Sequence, residues 1–206
     1  MLLDADDSQL VLVDYQARLM PALFEGELIS ANALRLARMA KLLEVPLWGT
    51  VQNPDGLGPL LPELQAAIEA GGGRTLAKMH FNAVADGLGE CLRPPVRKPP
   101  QGGNARSLPK HMRAAPEPEE GRATIVIAGC ETHVCLLQTA LGLLEEDFDV
   151  WVVTDASSSR SERNRDAAFD RLAGAGAELV TTEMVAFEWL GTADHPAFRE
   201  VLDWVK

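Results

Sequence analysis

The sequence predicts a three-layer α/β/α sandwich around a doubly wound, parallel six-stranded sheet of order 3-2-1-4-5-6. Three observations carry that expectation. Short apolar runs rich in β-branched residues alternate with stretches of helical periodicity along most of the chain. The runs are apolar throughout, as in strands covered on both faces, where alternation would mark a strand with one face in water. The length, 206 residues, and the composition, 47% hydrophobic and 24% charged, suit one α/β domain spanning 1–206.

Each element has its own local reason. Leu10-Val11-Leu12-Val13 is a continuous apolar run that stops at Asp14, so it reads as the first strand. Ala33, Leu36, Ala37, Ala40 and Leu43 recur at helical spacing and predict a helix over 30–44, with Ser30 as its N-cap. Residues 45–51 form the second strand, and Pro62 opens a short helix over 62–70. Three glycines at 71–73 precede a weaker third strand over 74–78. The fourth strand, 123–128, is strong, and a helix over 132–146 follows it. The fifth strand at 149–154, a helix at 161–174 and a sixth strand at 177–181 repeat the alternation. Two helices, 183–190 and 197–205, close the chain. Right-handed crossovers make strands 1 and 4 neighbours at the switch point, where such sheets bind ligands at the carboxyl ends of the strands.

Residues 93–122 break the pattern. They are rich in Pro, Gly and charge and poor in large apolar side chains, so they predict a surface insertion, with a lid as the sharper alternative.

The net charge of −11 argues against a nucleic-acid partner. No apolar run reaches membrane-spanning length, and the acidic start lacks a basic n-region, so a cytoplasmic location without membrane contact is expected. Three cysteines, Cys91, Cys130 and Cys135, suit a reducing compartment better than a disulfide framework. Phe187, Trp189, Leu190, Phe198 and Trp204 concentrate apolar area in the last two helices. Either they pack on their own sheet or they mark a homo-oligomer interface, and a homo-oligomer is expected.

The segment Gly129-Cys130-Glu131-Thr132-His133-Val134-Cys135 leaves the fourth strand and enters a helix. With Thr132 as cap, Cys135 falls in the first helical turn, where free amides and the dipole favour a thiolate. Burial as a small apolar residue is the plainer role for a cysteine, and Cys130 fits that role. A metal site on Cys130, His133 and Cys135 lacks a second ligand pair, because His80, His111 and His195 are scattered; neither metal nor cofactor is expected. Asp14 at the end of a buried strand is either a cap or an acid/base group. Lys78 after the third strand is either a surface charge or a cation that lowers the thiol pKa.

Together these segments resemble the isochorismatase-like cysteine hydrolases. The likeness rests on Leu12-Val13-Asp14-Tyr15-Gln16, on Lys78-x-x-Phe81-Asn82, and on Gly129 to Cys135 followed by Leu136-Leu137-Gln138-Thr139-Ala140. Asp155-Ala156-Ser157-Ser158-Ser159-Arg160 and Glu183 to Glu188 extend it, so it covers nearly the whole chain outside 93–122. The resemblance implies a triad of Asp14, Lys78 and Cys135, a cis peptide bond between Cys130 and Glu131, and an oxyanion hole from the backbone amides of Glu131 and Cys135. It places Gln16, Gln52, Phe81 and Asn82 at a pocket for a small-molecule substrate. Metal-dependent nicotinamidases of this superfamily carry an Asp and two His after the second strand, where this chain reads Gln52-Asn53-Pro54-Asp55-Gly56. The implied activity is hydrolysis of an amide or other C–N bond through a cysteine nucleophile. The alternative is a binding or scaffold protein that retains the fold without turnover.

Overall fold

The structure, a computed structural model, describes residues 2–93 and 121–206. Six parallel strands form one sheet: β1 (Ser8–Val13), β2 (Leu47–Gln52), β3 (Arg74–Lys78), β4 (Thr124–Gly129), β5 (Asp149–Val153) and β6 (Glu178–Val180). Their order is β3-β2-β1-β4-β5-β6, as the sequence predicts. β1 pairs with β2 from Leu10↔Leu47 to Val13↔Thr50 and with β4 from Ser8↔Thr124 to Val13↔Gly129. The chain reverses its winding at β1 and β4, so their carboxyl ends flank one crevice.

Every strand except β3 divides its apolar side chains between two cores. Leu10 and Leu12 of β1 face the first core, and Val11 and Val13 face the second. Helices α1 (Gly26–Leu42), α3 (Pro62–Ala70), α7 (Thr182–Leu190) and α8 (Phe198–Val205) cover the first face. Helices α4 (Leu88–Leu92), α5 (Leu137–Glu145) and α6 (Glu162–Gly174) cover the second. A short helix, α2 (Pro54–Leu57), follows β2.

Several boundaries differ from the sequence reading. β1 starts at Ser8, two polar residues before the apolar run, because both side chains are satisfied where they lie. Ser8 Oγ donates to Asp4 O and accepts from Trp189 Nε1, and Gln9 Nε2 donates to two carbonyls. α1 starts at Gly26, so Ser30 is no N-cap; its hydroxyl donates back to Glu27 O inside the first turns. The C-terminal helices lie close to their expected positions, but Trp189, Leu190 and Val201 are buried on their own sheet. That corrects the apolar-surplus argument for an interface. Only Met184 and Phe187 of α7 remain substantially exposed among its large apolar residues, with the Phe187 ring 6.3 Å from that of Phe198.

The expected insertion at 93–122 lies, from 94 to 120, outside the described residues. Its two roots are described. Gln9 Nε2 donates to Leu92 O at 2.8 Å and to Arg122 O at 3.1 Å, so one buried amide clasps both. Arg122 Nη1 in turn donates to Ala5 O and Ser8 O. These contacts sit at the amino ends of β1 and β4. The crevice is at the other end of the strands, about 20 Å away for six residues. Replacing 95–119 by a short Gly/Ser linker is expected to change stability by less than about 1 kcal/mol, since loop closure depends only weakly on length. Thermal melting of the shortened chain checks this, and insoluble protein would contradict it.

Candidate active site

Asp14 stands immediately after β1 with a left-handed backbone, φ 55°. Its amide donates to Thr50 O at 3.2 Å, and Thr50 Oγ1 donates to Asp14 Oδ1 at 2.7 Å. A buried carboxylate needs such partners. Across the crevice, Lys78 ends β3 and pairs in register with Gln52 at the end of β2. Its long stem carries the ammonium past β2 to Asp14, with Nζ 2.7 Å from Oδ2. Both side chains are fully buried, 0% exposed, which makes this an ion pair sealed from water. Lys78 Nζ also donates to Gln52 Oε1 at 2.6 Å and, at longer range, to the carbonyls of His80 and Phe81. Apart from the ammonium, Asp14 Oδ2 has no hydrogen-bond partner among the described residues.

The third group arrives from β4. Gly129 ends that strand with φ 157°, and a Cβ there would collide with the carbonyl and side chain of Val13. Glycine therefore lets the chain pass close against the end of β1, next to Asp14. The Cys130–Glu131 peptide bond is cis. Thr132–Leu136 then form a single π-helical turn before α5. This corrects the expected capped α-helix: Glu131 holds the N-cap position without a side-chain cap, and its carbonyl accepts from the Val134 and Leu136 amides. The Thr132 hydroxyl is buried and has no partner among the described residues. Cys135 is buried in that turn, and its thiol donates to Gln52 Oε1 across a long 3.9 Å.

The electrostatics also differ from the sequence reading. Burial and the Asp14 carboxylate push the Cys135 thiol up to about 12, against the opposing pull of Lys78. A helix terminus and one cation favour thiolate at an exposed site, but here the nearest cation is already neutralised by Asp14. The resting group is the neutral thiol. Cys130 is fully buried and is also pushed well up, by burial and then by Asp14. Cys91 is half-buried, and all three cysteines are free.

The structure brings Asp14, Lys78, Gln52 and Cys135 together and distributes the other candidates around them. Gln16 is buried, and its amide is spent on β2: Nε2 donates to Gln52 O and Gly58 O, and Oε1 accepts from Gln52 N. Asn82 Oδ1 caps the turn that starts at Ala83 by accepting from Val84 N. Phe81 is half exposed and contributes its carbonyl to Lys78 and to Thr139 Oγ1. Glu131 is held by Arg160, whose backbone amide and Nε both reach Oε2 at 3.0 Å. Thr50, Thr139 and Asp86 escaped the sequence reading. Thr50 had one signal, a hydroxyl inside an otherwise apolar strand. Asp86 had none, although its carboxylate accepts from the amides of Met79 and His80 and so fixes the loop after Lys78. Among the described residues no three His, Cys, Asp or Glu side chains converge to hold a metal ion.

The isochorismatase-domain family model matches residues 8–184, from the start of β1 into α7. The chain belongs to the isochorismatase family. Bovine isochorismatase domain-containing protein 2 is 35% identical over 199 residues, which is 97% of this chain and 83% of that protein. Among solved isochorismatase-fold structures, the Caenorhabditis elegans MAR1 ribonuclease superposes with a TM-score of 0.82 at 28% identity, covering 100% of this chain and 92% of that one. YcaC from Pseudomonas aeruginosa, solved with covalent acrylamide, gives 0.78 at 29% identity, with 98% and 91% coverage. The Escherichia coli YcaC product, described as an octameric hydrolase of unknown specificity, gives 0.74 at 28% identity, with 98% and 95% coverage. The isochorismatase family thus accounts for the sheet order and for the hydrolase fold. No helix among the described residues is long and apolar enough to cross a membrane.

Proposed function

We propose that this isochorismatase-family chain is a small-molecule hydrolase that cleaves an amide or other C–N bond with Cys135 as nucleophile, Asp14 as acid/base and Lys78 as supporting cation. The observation that carries the reading is the sealed Asp14–Lys78 pair beside the buried thiol of Cys135. An ion pair removed from water is costly, and a neutral thiol near pKa 12 needs a base to attack at neutral pH. Asp14 Oδ2, with no hydrogen-bond partner but the ammonium, supplies that base.

The thiol proton passes to Asp14 as sulfur bonds to the carbonyl carbon, and the C=O pair moves to oxygen. The amides of Glu131 and Cys135 receive that oxyanion. The C–N bond then breaks, and Asp14 returns the proton to the departing amine. Water, deprotonated by Asp14, adds to the thioester; the C–S bond breaks and the thiol is restored. Lys78 remains paired with Asp14 throughout as the supporting cation.

Support from relatives is chemical. Acrylamide is an electrophile that thiols add to, and the Pseudomonas YcaC carries it covalently. The octameric Escherichia coli relative favours a homo-oligomer here. Free thiols suit the cytoplasm. A polyanionic substrate is disfavoured by the net charge of −11, so RNA incubated with the protein is expected to stay intact.

Acid-quenched mass spectrometry of the protein with a panel of small amides is expected to find an acyl adduct on the peptide containing Cys135. Cys135→Ser should abolish both adduct and turnover. Turnover that survives this change, or an adduct confined to Cys91, would reject the mechanism; no adduct or turnover with any amide would favour the scaffold alternative.

A further inference from the structure

Gln52 ends β2 beside its register partner Lys78, and every bonding group it owns is committed. Gln16 locks its backbone from both sides, accepting from Gln52 N at 2.9 Å and donating to Gln52 O at 3.0 Å. Its side-chain Nε2 donates to Met79 O at 2.7 Å. That bond fixes which way the amide faces, because only the NH₂ end can satisfy a carbonyl. Oε1 is therefore turned toward the crevice, where it accepts from Lys78 Nζ at 2.6 Å and from Cys135 Sγ at 3.9 Å. One oxygen is shared by the cation and the nucleophile.

We propose that Gln52 is a positioning residue of the Asp14, Lys78 and Cys135 site: it holds the Lys78 ammonium within reach of the Cys135 sulfur and has no role in contacting substrate. The proposal rests on the hydrolase reading above. Without Oε1, Lys78 Nζ keeps, among the described residues, Asp14 at 2.7 Å and the two distant carbonyls at 3.4 and 3.5 Å. Nothing then keeps it on the sulfur side of the carboxylate. Two effects on the thiol oppose each other. Loss of the carbonyl dipole near sulfur favours thiolate, and loss of the fixed ammonium disfavours it. The distances decide the sign. A 2.6 Å bond from a charged donor is strong, and a 3.9 Å contact from a thiol is weak. The ammonium effect wins, and the thiolate becomes harder to form.

The test uses iodoacetamide on the intact protein, with peptide mapping to read the alkylation rate of Cys135 between pH 7 and 9. In this reaction the C–S bond forms, iodide leaves and the thiol proton is lost, so below the thiol pKa the rate follows the thiolate fraction. Lys78→Met should slow Cys135 by roughly tenfold or more, one pKa unit being a factor of ten. Gln52→Met should slow it by roughly three- to tenfold, and the two changes together should be no slower than Lys78→Met alone, as expected for residues acting through one another. Gln52→Leu, which also removes the oxygen without adding a charge, should slow alkylation by a similar factor. It serves alone if the methionine variant does not fold. Lys78→Gln replaces Lys78→Met in the same event.

A residue that only contacts substrate would leave these rates unchanged, since none is present. Slowing by the Lys78 change with none by either Gln52 change overturns the proposal and leaves the hydrolase reading standing. Additive slowing also overturns it, because Gln52 would then act independently of Lys78. If the Lys78 change itself has no effect, the supporting-cation reading fails and the Gln52 proposal falls with it.

Discussion

Replacing Asp14 by Asn is expected to move two measurements in opposite directions. Turnover of an amide should fall by roughly 10²–10⁴-fold, the usual worth of a positioned acid/base group. Alkylation of Cys135 by iodoacetamide should instead accelerate, by about tenfold or more at pH 8. The sign follows from the causes of the raised thiol pKa. After burial, the Asp14 carboxylate is the largest influence holding the thiol neutral, and Lys78 opposes it. Removing the carboxylate leaves an unneutralised ammonium near sulfur, and the pKa falls from about 12. At pH 8 the thiolate fraction grows about tenfold for each unit of that fall. Hydrolysis gains nothing from the freed thiolate, because no group returns a proton to the leaving amine. Alkylation and turnover falling together would show that Asp14 only maintains structure.

The largest expected loss of stability belongs to Lys78→Met. The Asp14–Lys78 pair is fully buried, and the substitution strands a carboxylate whose remaining side-chain hydrogen-bond donor among the described residues is the Thr50 hydroxyl. Breaking a buried pair from one side costs about 3–5 kcal/mol. For a chain of this size that lowers the melting temperature by roughly 6–20 °C. The double change Asp14→Asn with Lys78→Met removes both charges, and much of the loss should return. Denaturant melts of the three variants read this directly. A Lys78→Met loss below about 1 kcal/mol would mean that water reaches the pair in solution.

The sheet was legible in the sequence for a local reason. Each buried parallel strand is a short apolar run, as in Leu10–Val13 and Thr124–Gly129, and burial on both faces depends on little beyond the run itself. Polar residues that bond across the fold blurred the edges. The apolar run begins at Leu10, but β1 also includes Ser8 and Gln9, because Trp189, Leu92 and Arg122 satisfy them from far along the chain. Ser30 looked like a cap, yet the α1 helix runs past it to Gly26. The last helices looked apolar enough to need a partner, and most of that surface, Trp189 and Leu190 included, closes the molecule's own core.

At the candidate site, the sequence by itself determined which groups stand at the carboxyl ends of the strands: Asp14 after β1, Gln52 at the end of β2, Lys78 at the end of β3, and Cys135 beyond β4. Their relation was decided by the tertiary structure alone. Lys78 crosses β2 to meet Asp14, Gln16 is consumed in clasping Gln52, and one amide oxygen serves both cation and thiol. The direction of the Cys135 pKa was decided there too. A sequence shows a cysteine near a helix start and a lysine elsewhere. Whether that lysine acts on the thiol or is already neutralised depends on distances of a few ångströms between side chains from four elements, and on their shared exclusion from water.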